Sequence, residues 1–181
     1  MDEAALERMI QHERLLQGWN PRINLTRIVQ PGEVARRHFG EALFLSREAQ
    51  LSGSVADLGA GAGFPGLPIA ALDGEIQMLE VESVMKKANF LREVTRCWGN
   101  VRVAETRIED LRGPFDWVIM RAVAVAPLVS RLAELAPRAA LLAGSRSVEA
   151  LERDGIWKVT RRISLPWDSP GELLIADRAT L

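Results

Sequence analysis

The sequence predicts an α/β fold in which a mainly parallel sheet ends in an antiparallel hairpin and a helical extension precedes the first strand. Three observations carry this. From residue 54 onward, short apolar runs alternate with segments of helical period, the pattern of parallel strands joined by crossover helices. The last two strand-like runs, Ile156 to Leu165 and Glu172 to Ala176, have only Pro166-Trp167-Asp168-Ser169-Pro170-Gly171 between them, so they pair as a hairpin. Residues 3–17 and 31–49 show helical spacing, with an irregular segment between them. The 181 residues thus divide into an N-terminal helical extension, 1–50, packed on the core of a 51–181 domain, together one compact unit.

In chain order, residues 3–17 carry Leu6, Met9, Ile10, Leu15 and Leu16 with Glu and Arg between them, a packing helix with one face to bury. The segment from Trp19 to Thr26 reads as irregular. It holds Asn20, Pro21 and Asn24, and buried asparagine amides tie down such loops by bonding backbone groups. A second helix fits 31–49, opened by Pro31-Gly32 and marked by Val34, Phe39, Leu43 and Leu45. Arg36, Arg37 and His38 are consecutive on it and cannot share one face. By themselves they read as solvated charge plus a capping or core histidine. Strands follow near 54–58, 75–81, 100–104, 115–120 and 138–143, with helices near 65–72, 84–97, 125–135 and 147–154 between them.

Composition narrows the function. The formal net charge is −1, so the chain as a whole is not a basic nucleic-acid binder, and any RNA contact must come from a local patch. The lone Cys97 excludes an internal disulfide and a cysteine-rich metal site. His12 and His38 lie too far apart in sequence for a local metal pair. No apolar run approaches the ~20 residues of a membrane span, and the acidic, amphipathic N-terminus lacks the basic start and apolar core of a signal peptide. A cytoplasmic, metal-free monomer is expected.

The chemistry centres on Ser54-Val55-Ala56-Asp57-Leu58-Gly59-Ala60-Gly61-Ala62-Gly63-Phe64-Pro65-Gly66. A short apolar strand ends in a carboxylate and breaks into a glycine turn. A helix then opens at Pro65, where a missing N–H is no loss. Gly59, Gly61 and Gly63 let the backbone turn tightly and approach a ligand. Open α/β sheets bind nucleotide-like ligands at such a corner, at the carboxyl end of a strand. Two registers compete. Gly61 to Gly66 is formally G-x-G-x-x-G, the dinucleotide fingerprint, but it sets Asp57 against a pyrophosphate that a carboxylate repels. The other register, Asp57-x-Gly59-x-Gly61-x-Gly63, is the first motif of S-adenosylmethionine methyltransferases. There the ligand presents an ammonium, a carboxylate and a sulfonium, and no phosphate. Asp57 suits that zwitterion and its cationic sulfur, directly or through water. A parallel sheet finished by a hairpin is also the usual plan of this Rossmann-like class I S-adenosylmethionine-dependent methyltransferase domain.

Other residues extend the site. The second strand ends in Glu82, placed to accept from both ribose hydroxyls, with Glu80 the alternative. In the loop Glu105 to Asp110, backbone groups can read an adenine edge, with Ile108 near its face and Glu109 accepting from the exocyclic amine. Thr106 and Glu109 also have the spacing of a capping box. The fourth strand delivers Arg121 and Ala122 to the carboxyl edge of the sheet. Many amino-methylating enzymes place Asn/Asp-Pro-Pro-Tyr/Phe here. Met120-Arg121-Ala122-Val123 argues against an exocyclic amine acceptor and fits a nucleophile with a free lone pair, such as a ring nitrogen.

Trp19-Asn20, Asn24-Leu25-Thr26, Arg37-His38 and Asp57 through Pro68 occur in an order that resembles the RsmG (GidB) family. Lys86-Lys87, Phe90-Leu91-Arg92, Arg107-Ile108-Glu109, Phe115-Asp116 and Arg121-Ala122 continue the likeness over roughly residues 15–145. Members are bacterial enzymes that transfer a methyl group from S-adenosylmethionine to N7 of a guanine in 16S ribosomal RNA of the small subunit. The resemblance implies cofactor contacts at Gly59, Phe64, Ile108, Glu109 and Arg121, with Glu82 as the ribose acid. It implies RNA contacts at Arg37, His38, Lys86, Lys87 and Arg121. The chain departs from the family pattern in three places. Glu41-Ala42 stands where Asp-Ser is usual, Ala143-Gly144 where a lysine precedes glycine (with Arg146 two residues on), and the basic C-terminal tail shrinks to Asp177-Arg178.

Guanine N7 loses no proton on methylation, so no general base is expected and Arg121 is the residue that orients the substrate. Two further readings stay open from the residues alone. One is a methyltransferase of altered acceptor or reduced activity; the other is a nicotinamide-dependent oxidoreductase using Gly61 to Gly66.

Overall fold

The computed structural model describes residues 2–153, 155–167, 169 and 171–179, with backbone alone at Ser145 and Arg146. Helix α1 spans Glu3–Ile23. Asp2 caps it by accepting from the Ala5 N–H at 2.7 Å, and Asn24 ends it in the left-handed region at φ 52°. The helix therefore runs through Trp19–Ile23, which the sequence reading leaves irregular. Leu16, Trp19 and Ile23 continue the apolar stripe and pack on the core, and that burial outweighs Pro21 in the final turns. The Asn20 amide does tie down the loop: it accepts from the Thr26 N–H at 2.9 Å and donates to the Thr26 carbonyl at 3.0 Å.

The predicted helix over 31–49 forms in three pieces: α2 (Pro31–Glu33), a π-helical stretch (Val34–Gly40) and α3 (Glu41–Ala49). A π-helical stretch departs from the regular i→i−4 ladder and recurs at functional sites. It holds Arg37 and His38, both of which line the cleft described below.

The seven strands are β1 (Ser54–Leu58), β2 (Gln77–Val81), β3 (Val101–Ala104), β4 (Trp117–Arg121), β5 (Arg138–Ala143), β6 (Trp157–Ser164) and β7 (Glu172–Arg178). Their order is β3-β2-β1-β4-β5-β7-β6. Strands β1 to β5 pair in parallel; β7 runs antiparallel to both β5 and β6, the expected hairpin edge. Strand order reverses between β1 and β4, which opens a crevice at their carboxyl ends.

Helices α4 (Gly66–Leu72) and α5 (Met85–Val94) join α1 and α3 on one face, around Leu45, Leu67, Phe90 and Ile119. Helices α6 (Val129–Leu135) and α7 (Ser145–Arg153) cover the other, around Leu132, Leu141 and Leu151. Met9, Leu16 and Leu25 share the first core with Val55 of β1, so the N-terminal segment is built into the same apolar interior as the sheet. Helix α4 starts one residue later than predicted, with Pro65 at its N-cap. The 125–135 helix divides into a 3-10 turn (Ala126–Leu128) and α6. The capping box is absent: Ile108–Asp110 is a single 3-10 turn closed by the Asp110 N–H on the Arg107 carbonyl, which leaves no helix for Thr106 to cap. The last residue of the helix predicted over 147–154 lies outside the described residues. Among the described residues, no helix is long and apolar enough to cross a membrane.

Candidate active site

The glycine corner is pinned from two strands. The N–H groups of Gly59 and Ala60 donate to the Val81 carbonyl at 2.9 and 3.0 Å. Glu82, just past β2, accepts from the Gly61 N–H at 3.0 Å and from the Val84 N–H at 2.7 Å. Its carboxylate thus holds the turn and the start of the following segment together, and it stands at the rim of a cavity. Gly59 has φ +77°, and a Cβ there would lie 2.7 Å from Val123 Cγ2, so only glycine fits.

Two cavities meet at this corner. The smaller, about 290 Å³, is bounded by Glu82, Arg107, Ile108, Glu109 and Pro127. The larger, about 770 Å³, is bounded by Thr26, Arg27, Arg37, His38, Glu41, Phe64, Arg121 and Ala143. Gly59 and Val123 line both, so the two open on each other at the crevice between β1 and β4.

A polar chain crosses the larger cavity. Arg121, the last residue of β4, donates to His38 Nδ1 at 2.8 Å and pairs with Glu41 at 2.9 Å. Guanidinium groups only donate, so Nδ1 accepts and His38 Nε2 carries the hydrogen, 2.9 Å from the Thr26 hydroxyl. Burial first, then the Arg121 charge, pushes the His38 pKa down to about 3, so the ring is neutral. Burial also lowers the Arg121 pKa, against the pull of Glu41. Arg37 stands 4.0 Å from Glu41 and 3.7 Å from Glu33.

Phe64 lies between two imidazoles. His38 stacks on one side at 4.3 Å between centroids, and His12 on the other at 4.6 Å. His12 Nε2 donates to the Ala62 carbonyl of the glycine turn at 2.7 Å, and burial lowers its pKa to about 4. The histidines that are remote in sequence therefore meet across one ring. No group of residues able to hold a metal forms among the described residues.

The predicted site residues divide accordingly. Gly59, Gly61, Phe64, Glu82, Ile108, Glu109, Arg121, Arg37 and His38 line the joined cavities. Gly63 is buried behind the turn against Leu67. Asp57 is 1% exposed and does not reach the cavity surface; it holds the Gly66 N–H at 2.8 Å from beneath. Glu80, the alternative ribose acid, is wholly buried and does not line the cavities, because it lies inside β2, in register with Asp57 beneath the turn, whereas Glu82 lies past the end of the strand. Lys86 and Lys87 lie in the first turn of α5, and neither lines either of the two joined cavities. His38 is 6% exposed, a connector between Phe64 and Arg121 more than a surface cation. His12 is missed by the sequence reading, since an isolated histidine on a helical stripe carries no local signal. The Arg146 side chain lies outside the described residues.

A sheet of this order, with an acid-glycine corner at its switch point and an acid ending β2, defines a class I S-adenosylmethionine-dependent methyltransferase fold. Magnesium protoporphyrin IX methyltransferase from Synechocystis PCC 6803, solved with bound S-adenosylmethionine, has a similar fold, with a TM-score of 0.67 and 17% identity over 99% of this chain and 98% of that one. Residues 5–143 match the GidB family, rRNA small subunit methyltransferase G, and the chain belongs to it. It is 38% identical over 136 residues to ribosomal RNA small subunit methyltransferase G of Clostridium beijerinckii, 70% of this chain and 57% of that protein. It is 38% identical over 162 residues to the methyltransferase G 1 of Syntrophobacter fumaroxidans, 81% of this chain and 73% of that one. The chain thus spans little more than half the length of its clostridial relative.

The cofactor of the class is S-adenosylmethionine, and the residues here fit it. Gly59 and Val123 stand where a small cavity, with an acid at its rim and Ile108 and Leu128 as apolar walls, opens into a larger cationic one. That is the division an adenosine and an acceptor require.

Proposed function

We propose that the chain methylates N7 of a guanine in 16S ribosomal RNA, free or within the small subunit, with S-adenosylmethionine as donor. The observation that carries this is the position of Arg121, in the cationic cavity that opens, at Gly59 and Val123, into the adenosine-sized one. Ile108 flanks the adenine, Glu109 accepts from its amine, and Glu82 accepts from the ribose while holding Gly61. Asp57 acts from beneath, by fixing Gly66. The bound cofactor supplies an electrophilic methyl group on a positively charged sulfur. The acceptor nitrogen has its own lone pair and loses no proton, so the chain's task is to hold it about 3 Å away and in line. The neutral His38 spends its acceptor on Arg121 and so aims the guanidinium instead of moving protons. Arg121 orients the guanine or its flanking phosphate, and Arg37, Lys86 and Lys87 grip the RNA backbone.

Tritium transfer from labelled donor into small subunits lacking the modification tests this, followed by mapping of the labelled base. Label at one guanine N7 is expected, with binding that weakens steeply as salt rises. Subunits that take no label, under conditions where a different acceptor does, overturn it. That second reading, an altered acceptor, is favoured by Ala143, which lines the larger cavity where the family resemblance expects a lysine.

A further inference from the structure

Beneath the glycine turn two carboxyl groups meet. Asp57 and Glu80 are register partners on the adjacent parallel strands β1 and β2, and both are buried, Glu80 at 0% exposure. A Cβ placed on Gly66 would lie 2.2 Å from Glu80 Oε1 and 2.8 Å from Asp57 Oδ2, so both groups crowd one point. Their neighbours on the outer strands, Ile119 and Val103, are apolar. Asp57 Oδ2 accepts from the Gly66 N–H at 2.8 Å, whereas Asp57 Oδ1 and both oxygens of Glu80 have no donor among the described residues. Two carboxylates this close in an apolar setting cannot both ionise. One proton removes the conflict and pairs two of these three oxygens, one of Glu80 with Asp57 Oδ1.

We propose that Glu80 is a positioning residue that stays protonated and donates to Asp57 Oδ1, so that Asp57 remains the anion holding Gly66 in place. The pair then leaves one negative charge behind the turn and fixes the backbone that carries Phe64 to the cavity wall. Of the two acids Asp57 is the one that ionises first. Burial pushes it up to about 7, with the Gly66 bond and Arg121 pulling it down against the push of Glu82, so the single charge of the pair forms on Asp57 as pH passes that value. Burial and then Asp57 push Glu80 well above the carboxylate range. The role assigned to Glu80 in ligand binding rests on the proposed use of this turn for S-adenosylmethionine; the shared proton does not.

Infrared spectroscopy of the wild-type protein tests the proton directly. At about pH 6, where an unperturbed glutamate is ionised, a carbonyl stretch of a protonated carboxylic acid is expected, and it shifts when glutamate alone is carbon-13 labelled. No such band, or one that ignores the glutamate label, overturns the proposal. Calorimetry with S-adenosylhomocysteine then compares Glu80→Gln, whose amide can donate to Asp57, with Glu80→Leu, which cannot. The Gln variant is expected to bind about tenfold or more tightly than the Leu variant, the loss typical of a hydrogen bond to a charged group. Equal affinities overturn the positioning role. A wild-type protein that shows the glutamate band but binds no S-adenosylhomocysteine keeps the proton pair and overturns the cofactor reading.

Discussion

His38 lies flat on Phe64, with 12° between the ring planes, while its Nδ1 takes a hydrogen bond from Arg121. Through this one imidazole the N-terminal segment touches both the glycine turn and the end of β4. Thr26 holds its far nitrogen, so the ring is fixed on three sides. The glycine turn and the end of β4 are thereby coupled to the segment that precedes the sheet.

Phe64→Ala should therefore be severe. The ring is buried and makes aromatic contacts with His12, His38 and Phe39. Truncation of such a side chain costs about 3–5 kcal/mol. Urea unfolding measures this, and a loss below about 1 kcal/mol would mean the stack carries little. The variant should also bind S-adenosylhomocysteine more weakly, because both sides of the turn lose their support.

The Arg121–Glu41 pair predicts a contrast between stability and activity. Arg121→Met leaves a carboxylate whose side chain is 4% exposed with only the looser Arg37 contact at 4.0 Å, so the loss should approach, without reaching, the about 3–5 kcal/mol of an unpaired buried charge. The double variant Arg121→Met with Glu41→Leu removes both charges and should regain most of that stability. Methyl transfer should stay lost in both. Denaturation midpoints and a methylation assay on the same samples separate the two effects; activity in the double variant would remove Arg121 from the mechanism.

Stability should stay roughly level between about pH 4.5 and 6.5, where two lowered histidines and two raised carboxyls offset each other, and fall on either side. His12 and His38 have folded pKa values lowered to about 4 and about 3, so the unfolded chain binds more protons between those values and 6.5. Their contribution is present above 6.5 and is lost as pH falls through this window. Asp57 is raised to about 7 and Glu80 well above its ordinary range, so their contributions are present below the ordinary carboxylate range and are lost as pH rises, that of Asp57 through 7 and that of Glu80 alongside and beyond it. Thermal melts across pH read both limbs. His12→Gln should flatten the acid limb, and Glu80→Gln the neutral one.

Glu82→Gln tests the rim acid. An amide nitrogen cannot accept, so one of the two backbone N–H groups, of Gly61 or Val84, loses its partner. Affinity for S-adenosylhomocysteine should drop about tenfold or more. Calorimetry measures this, with circular dichroism to confirm that the fold persists; unchanged affinity would remove Glu82 from the ribose site.

Much of this site is written in local patterns. Ser54–Leu58 and Arg138–Ala143 follow from short apolar runs, and the terminal hairpin follows from a Pro-Gly turn with no helix between two strand patterns. The acid at residue 82 and the arginine at 121 are legible because a strand end must deliver its last side chain to the carboxyl edge. The π-helical stretch and the run of α1 through Pro21 are not, since tertiary burial overrides local preference at both.

The sequence alone determines the strand-helix alternation, the acid-glycine corner and the residues at each strand end, all of which depend on neighbours a few positions away. Only the tertiary structure decides that His12 and His38 share one phenyl ring, that Arg121 reaches Glu41, and that Asp57 and Glu80 are buried face to face. The Arg121–His38 bond joins residues 83 apart and the His12–Ala62 bond residues 50 apart. Contacts of that kind are set by how helices pack on the sheet, and packing is a property of the whole core rather than of any segment.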